Sequence, residues 1–459
     1  MKIMFISPIF GERGQKSKGL PISAPVSEYL TGLTNQVRPD VEVELIDANK
    51  ENFVIDDLEA DLFAFSVLTP AAPWIYRQAD LLRARGKKVV LGGIHATALP
   101  EEAKQHADTV VIGEAEPVWK DVLDDFDRGG LKPFYHKELP TLEGLPRPVT
   151  NLWNTFYLYG YFQTSRGCPY NCSFCSVHQV FGHKVRVRPI KEVVDEVAAS
   201  KKHFFWGIDD NIWGINVDHS IELYKEMGKN IRNKWWFGTG DLVSLDHPRS
   251  DELLTSARQA GLTTVLVGWE SDNPASLKEY RANPKQCRNR RDAVKRIRDN
   301  GIDVVLFVMF AGRQDTPEDI ESILKLSDDL KVAIHPVMTT PFPGTALYDL
   351  YKPHLIPGLD WDWFDGNHTV FQHDDPRMSV AYRENELIRI RAEIFTLPRI
   401  LNRISQISLK GFPMAHITSW AIQFPQGRAF KQFEKENRRV LLDRERILAE
   451  YDSRNPKKP

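Results

Sequence analysis

The chain has 459 residues, of which 42% are hydrophobic and 27% are charged, and its formal net charge is -2. This length allows two or three domains with a large buried core, and the balanced charge gives no indication of a nucleic-acid partner. Four cysteines in a chain of this size exclude a small disulfide scaffold. The longest apolar run, near residues 304–311, is too short to cross a bilayer.

The first residues, 2–8, predict a β-strand rather than a signal peptide, because they lack a basic region, a long apolar run and a cleavage site. The expected location is therefore the cytoplasm.

Residues 1–140 predict a Rossmann-like, doubly wound α/β domain. Short apolar runs separated by helical patterns such as 72–85 and 101–105 are typical of buried parallel strands. Besides the first strand, strands are expected at 41–46, 62–67, 88–91 and 109–112. The pattern ends near Asp127, and the segment 140–148, rich in Pro and Gly, predicts a linker.

Residues 150–348 predict a partial (β/α)6 barrel, with chemistry at the carboxyl ends of its strands. Six strands are expected, at 161–164, 204–208, 235–238, 263–267, 304–309 and 332–336. Residues 349–459 predict a mainly helical region, including an amphipathic helix over 384–405.

Three of the four cysteines, Cys168, Cys172 and Cys175, lie within eight residues. Thiolates bind zinc or iron–sulfur clusters, but both kinds of structural site normally use four ligands. Three ligands leave one iron open to a substrate or cofactor, which favours catalysis. The alternative is a zinc knuckle completed by Cys287 or by His178.

The spacing Cys-x-x-x-Cys-x-aromatic-Cys, with Phe174 at the aromatic position, resembles the signature of the radical SAM superfamily. The resemblance implies a [4Fe-4S] cluster on the three cysteines. The open iron then chelates S-adenosylmethionine (SAM), and reduction cleaves SAM to a 5′-deoxyadenosyl radical. It also implies a small-molecule substrate and a reducing partner such as flavodoxin or ferredoxin.

Later segments match the same superfamily in order. By resemblance, a carboxylate after the second strand faces the SAM ammonium group, the segment after the fourth strand contacts the ribose or the carboxylate of SAM, and the fifth strand lies against adenine. The glycines after the third strand allow a close approach of the backbone. The residues so implicated are Asp209, Asp210, Gly240, Asp241, Glu270, Ser271 and Met309. Helix capping is the competing role for Asp209, and ordinary turn chemistry explains any one of the other segments.

The first domain resembles the cobalamin-binding domain that precedes some radical SAM domains, through Ser66, Leu68, Gly92, Gly93 and the segment 113–116. Small residues at strand ends let a large ligand approach. The Asp-x-His-x-x-Gly motif of that domain is absent from the corresponding loop, 7–14. Either cobalamin binds without a protein histidine, or the domain has kept the fold and lost the cofactor.

The leading hypothesis is a radical SAM enzyme that abstracts hydrogen from an unactivated carbon of a biosynthetic small molecule. With cobalamin, we expect methyl transfer to carbon. Without it, we expect dehydration, cyclisation or rearrangement, for example of an amino sugar. A non-enzymatic iron–sulfur redox protein is a second hypothesis. An RNA-modifying methylthiotransferase is disfavoured, because no basic tail domain and no additional cysteine trio are present.

Overall fold

The computed structural model describes residues 1–9, 25–153, 157–213, 216–282 and 287–405. Two six-stranded parallel sheets and a two-stranded antiparallel ribbon account for all of the strands in these ranges.

The first sheet has the doubly wound strand order β2-β1-β3-β4-β5-β6, with every pair parallel. Its strands are β1 (Lys2–Ser7), β2 (Glu42–Asp47), β3 (Leu62–Ser66), β4 (Lys88–Gly92), β5 (Thr109–Val111) and β6 (Phe134–Tyr135). The last strand extends the sheet beyond Asp127, where the sequence pattern ends. Its two residues are too few to show a periodicity.

Both faces of this sheet are buried, as a parallel sheet requires. Alternate residues of β1 face opposite sides, so that Met4 and Ile6 join one hydrophobic cluster and Ile3 and Phe5 join another. The helices that cover the sheet are α1 (Pro25–Val37), α2 (Ala72–Ala84), α3 (Ile94–Ala98), α4 (Pro100–Gln105) and α5 (Trp119–Asp127).

The second sheet is an open, partial barrel with its strands in chain order, β7-β10-β11-β12-β13-β14. These strands are β7 (Tyr159–Phe162), β10 (Phe204–Gly207), β11 (Trp235–Gly240), β12 (Leu262–Glu270), β13 (Asp303–Phe310) and β14 (Ala333–Met338). All pairs are parallel, and the pairings in the described ranges do not join β7 to β14. The α/β class and the partial barrel are therefore confirmed.

In the described part of the chain, seven helices lie between the barrel strands in sequence. They are α6 (Val177–Phe181), α7 (Ile190–Ala199), α8 (Val217–Asn230), α9 (Ser250–Gln259), α10 (Pro274–Glu279), α11 (Arg290–Asp299) and α12 (Pro317–Leu330). A short antiparallel ribbon, which the sequence pattern does not predict, pairs β8 (Ser165–Arg166) with β9 (Arg186–Val187). This ribbon flanks the cysteine loop on both sides in sequence.

The region after β14 contains α13 (Ala346–Tyr351), α14 (Val380–Ile394) and α15 (Leu397–Ser405). The prediction of one helix over 384–405 is wrong, because the segment is divided at Phe395 and Thr396. Pro398 explains the division. It has no N–H to donate and is tolerated only in the first turn of a helix, where α15 places it. None of the helices in the described ranges is both long and apolar enough to cross a membrane.

Gly240, the last residue of β11, is enforced by packing. A Cβ at this position would lie 2.7 Å from Cε2 of Trp213, which is completely buried and donates its indole N–H to the carbonyl of Asp241 at 2.8 Å. We therefore expect Gly240→Ala to destabilise the barrel by about 1–3 kcal/mol, as overpacking of a tight core does. Chemical denaturation checks this value.

The matched control is Gly130→Ala, because the nearest atom to its Cβ, the carbonyl oxygen of Asp125, is 4.0 Å away. The control is expected to match the parent protein. Equal stability of the two variants would contradict the packing explanation.

Candidate active site

The three predicted cluster ligands lie in one loop, between the end of β8 and the start of α6. Cys172 is buried, whereas Cys168 and Cys175 are partly exposed, and the N–H of Cys175 donates to the carbonyl of Cys172 at 3.2 Å. The thiols of one buried and two accessible cysteines suit a cluster that faces an opening. These three residues are the proposed ligands of the cluster.

A glycine turn fixes the start of this loop. Gly167 has φ of +93°, in the region that favours glycine, and a Cβ would lie 2.5 Å from the carbonyl oxygen of Lys184. Farther along, the backbone of Ser173 bonds to the carbonyl of Tyr280 at 2.9 Å and to the N–H of Leu347 at 2.7 Å. The loop is thus held by the barrel on one side and by α13 on the other.

Asp209 is buried against the residues that precede the loop, from which it accepts several hydrogen bonds. They come from the backbone N–H of Thr164 (2.9 Å), its hydroxyl (2.6 Å) and the hydroxyl of Ser165 (2.7 Å). Burial raises the pKa of this carboxyl, and these hydrogen bonds oppose the rise. The geometry favours a role in positioning the loop over direct contact with the SAM ammonium group.

Asp210 and Asp241 also hold the cysteine loop. Asp210 accepts from the N–H of Gly167 at 3.1 Å, and burial raises its pKa to about 6. Asp241 accepts from the hydroxyl of Tyr170, a loop residue, at 3.4 Å and from the amide of Asn211 at 2.5 Å. The acidic residues predicted after the second and third barrel strands are therefore gathered around the loop.

The next two barrel strands end in strained backbone. Glu270 has φ of +65° and Ala311 has φ of +58°, and the pairing of β12 with β13 is irregular between Gly268 and Glu270. Non-glycine residues in this region cost on the order of 1–3 kcal/mol and concentrate at functional sites. Ser271 accepts from Arg290 through its carbonyl at 3.1 Å, which ties the end of β12 to the start of α11.

Met309 and Phe174 belong to the same hydrophobic cluster. Phe174 packs edge-on against Tyr280 with ring centroids 5.9 Å apart. The aromatic residue of the cysteine motif and the predicted adenine-contacting residue are thus brought to one side of the barrel.

Cys287 lies elsewhere, in the hydrophobic core that the barrel strands share with their covering helices. Burial raises the pKa of its thiol to about 11, so it stays protonated and is a poor ligand. Among the described residues, no three Cys, His, Asp or Glu side chains converge as a single metal ion requires.

A large apolar cleft separates the two sheets, with an open volume of about 1240 Å³ that includes its mouth. Ser66, Leu68, Gly92 and Gly93 all line it, at the carboxyl ends of β3 and β4. From the barrel, Gln163, Arg166, Val180, Phe181 and Ile208 form the opposite wall. The four residues predicted to contact cobalamin are thus brought together, and the cleft reaches β8 and α6, the elements on either side of the cysteine loop.

The chemistry of this lining fits a corrin, which presents broad apolar faces and an edge of polar amides. No histidine lines the cleft in the described part of the chain, and most of the loop 7–14 lies outside the described residues. His95, next to the glycine pair, is buried between Thr69 and Glu102, at 3.2 and 3.3 Å.

The charged residues of the cleft, Glu114, Glu116 and Arg166, are absent from the predicted site. Glu114 and Glu116 lie in the segment 113–116, which carries the resemblance to a cobalamin-binding domain, and Arg166 lies two residues before Cys168. Charges at strand ends that otherwise carry small apolar residues are the signal that could have identified them.

Two family models match the chain. Residues 162–327 match the Radical SAM superfamily, and residues 29–123 match the B12 binding domain. The chain is therefore a radical SAM enzyme with an N-terminal cobalamin-binding domain, and the cofactors of these domains are a [4Fe-4S] cluster, SAM and cobalamin.

Curated relatives are similar over nearly the whole chain. The chain is 26% identical over 428 residues to the bacteriochlorophyllide d C-8(2)-methyltransferase of Chlorobaculum tepidum, covering 88% of this chain and 93% of the relative. It is also 26% identical over 391 residues to the anaerobic magnesium-protoporphyrin IX monomethyl ester cyclase of Rubrivivax gelatinosus, covering 76% and 69%.

Two solved structures share the fold. The methyltransferase TsrM from Kitasatospora setae, with cobalamin and a [4Fe-4S] cluster bound, superposes with a TM-score of 0.63 at 16% identity, covering 86% of this chain and 88% of TsrM. The radical enzyme OxsB, with aqua-cobalamin and SAM bound, gives 0.68 at 13% identity, covering 98% and 75%.

Asp315 supports the turn that follows β13. It is buried, and it accepts from the N–H of Gly312 at 2.9 Å and from the hydroxyl of Ser276. Burial raises its pKa to about 7 from an ordinary 3.8. The folded chain therefore holds this proton more tightly than the unfolded chain. The free energy of unfolding falls as the pH rises from about 4 to 7 and is then constant with respect to this group.

We accordingly expect Asp315→Asn to have a higher thermal midpoint than the parent at pH 8, because the amide oxygen can still accept from Gly312 without a buried charge. The difference should shrink as the pH falls to 5. Asp349→Asn removes a charge from an exposed residue and serves as the control, with no such trend. A difference for Asp315→Asn that is the same at both pH values would contradict the explanation.

Proposed function

We propose that this enzyme is a cobalamin-dependent radical SAM methyltransferase that adds a methyl group to an unactivated carbon of a biosynthetic small molecule. The observation that carries the proposal is the cleft between the two sheets. The residues of the cobalamin-binding domain form one wall, and Arg166, two residues before Cys168, belongs to the other.

The reaction balances with two molecules of SAM and two electrons. The bound cofactors supply one-electron cleavage of SAM and transfer of a methyl group. A substrate C–H bond is broken and its hydrogen passes to one SAM, which yields 5′-deoxyadenosine and methionine. The other SAM provides the new C–CH3 bond and leaves as S-adenosylhomocysteine. A reduced flavodoxin or ferredoxin supplies the electrons.

In this scheme, the residues of the chain hold and orient the cofactors. Cys168, Cys172 and Cys175 hold the cluster, and Asp209 and Asp210 fix their loop from below. The strained rim at Glu270 and Ala311 forms the wall at the next strand ends, where SAM is expected. Ser66, Leu68, Gly92 and Gly93 seat the corrin. Apolar surroundings exclude water, which protects radical intermediates from side reactions.

The relatives support a methyl acceptor related to tetrapyrroles. Two of them are named as bacteriochlorophyllide d methyltransferases, for the C-8(2) and C-12(1) positions, and the chain covers 93% and 86% of their lengths. Bacteriochlorophyllide d is therefore the first substrate to test.

Ring formation is a second candidate reaction. The similarity to a magnesium-protoporphyrin IX monomethyl ester cyclase, over 391 residues, favours it. The two candidates differ in their products, since cyclisation consumes no methyl group and releases no S-adenosylhomocysteine.

The test is an anaerobic incubation of the reconstituted enzyme with hydroxocobalamin, methyl-deuterated SAM, reductant and bacteriochlorophyllide d. We expect a product that carries the deuterated methyl group, with 5′-deoxyadenosine and S-adenosylhomocysteine in equal amounts. Cys175→Ala is expected to lose the iron–sulfur absorption and at least 100-fold of the activity, because a cluster ligand is missing.

Cys287→Ala is the matched control, since its thiol is buried in the barrel core. It should keep the iron–sulfur absorption and both products. Formation of 5′-deoxyadenosine without S-adenosylhomocysteine would favour ring formation. Retention of the cluster by the Cys175 variant would contradict the proposed ligand set.

A further inference from the structure

One buried ion group joins the cobalamin-binding domain to the cysteine loop. Arg166 donates through Nη1 to Glu114 at 2.9 Å and through Nη2 to Glu116 at 2.7 Å. Its Nε donates to the side chain of Gln163 at 2.7 Å. We call these four residues the Arg166 bridge. Both carboxylates follow β5 of the first sheet, whereas Arg166 ends β8.

The bridge faces the cleft. All four of its members line the cleft, and the side chains of Arg166 and Glu114 are only 8% and 1% exposed. In the described part of the chain, the other residues of the lining are uncharged. Charges placed in such an apolar wall are costly unless they are paired, so the bridge has a reason to be there other than packing.

Each of the three guanidinium nitrogens of Arg166 has a hydrogen-bond partner. Burial opposes its charge, but Glu116 and Glu114 outweigh this effect and raise its pKa. The central carbon of the guanidinium, Cζ, lies 5.6 Å from the ring centre of Phe181, which also lines the cleft. Planar, two-pronged pairing with carboxylates fixes direction as well as distance.

The backbone of Arg166 leads directly to the first cluster ligand. Gly167, with its required positive φ, is the only residue between Arg166 and Cys168, and its N–H is tied to Asp210. A displacement of Arg166 would therefore also displace the backbone of Cys168. The edge of a corrin carries amides, which donate to carboxylates and accept from guanidinium groups.

We propose that Arg166 is a positioning residue that couples occupancy of the corrin cleft to the placement of the cluster loop. A corrin edge in contact with the Arg166 bridge fixes Glu114 and Glu116, and through them Arg166 and the backbone at Cys168. The inference rests on the proposed function, in that the cleft takes cobalamin. By linkage, the cluster must then strengthen corrin binding by the same factor by which the corrin strengthens the cluster site.

The experiment measures the dissociation constant of hydroxocobalamin, from its absorption spectrum, in the full chain with and without the reconstituted cluster. SAM and substrate are omitted. We expect the cluster to tighten binding about fivefold or more in the parent protein, within the usual range of coupling between sites. In Arg166→Met this ratio should fall below about twofold, and Arg166→Lys should restore part of it, since one charged contact is kept.

A merely structural role would weaken binding in both forms and leave the ratio unchanged. The control is Trp361→Phe, which removes another contact of the first domain, the indole hydrogen bond to Glu102 at 2.9 Å. Neither Trp361 nor Glu102 lines the cleft or belongs to the cysteine loop, and phenylalanine keeps an aromatic ring in the hydrophobic cluster, so the ratio should be that of the parent. If Arg166→Met does not fold, Glu116→Gln, which loses the charge of one partner, is judged on the same ratio.

A ratio near one in the parent protein would overturn the inference, as would an unchanged ratio in the Arg166 and Glu116 variants. Either result, together with normal methylation, would leave the proposed function standing. Absence of hydroxocobalamin binding by the parent protein, in both forms, would overturn the proposed function and the inference together.

Discussion

The hydrogen bonds that the buried carboxylate of Asp209 accepts are the constraint on which the rest of the site depends. They fix the backbone at Thr164 and the side chain of Ser165 just before the cysteine loop. A buried carboxylate is stable only with such donors around it, so the two segments must stay together. Because Gly167 then turns sharply, the direction of the loop is set before its first cysteine.

The cysteine loop and the helix α6 that follows it lie where the three parts of the chain meet. A Cβ at Gly344, in the turn after the last barrel strand, would lie 2.7 Å from Gln179 of α6 and 3.1 Å from Ala98 of the first domain. Trp361, farther along, donates to Glu102 of the first domain. The segment after the barrel therefore contacts both the barrel and the first domain.

The sequence was sufficient for those features that repeat or that have a spacing. Strands buried on both faces read as continuous apolar runs, so the central strands were predicted to within a few residues. The two-residue strands β6, β8 and β9 have no period. The roles of single residues that depend on tertiary contacts could not be predicted from the sequence either. Gly240 is required because the indole of Trp213 leaves no space for a Cβ. Asp209 holds the start of the cysteine loop through its hydrogen bonds to Thr164 and Ser165. Both roles depend on contacts between segments that are distant in sequence.

The charged residues of the cleft are stronger evidence for a connection between its two walls than the shape of the cleft is. Apolar small residues at Gly92 and Gly93 are explained equally well by sheet packing and by a ligand. Glu114 is different, because it is almost inaccessible and accepts from both Arg166 and Arg186, the cross-strand pair of the ribbon around the loop. Packing alone would place an apolar side chain there, since a buried ion group gives no net gain over well-packed hydrophobic residues. The contribution of the ion group is instead to fix the position of Arg166, and with it the start of the cysteine loop, relative to the cleft.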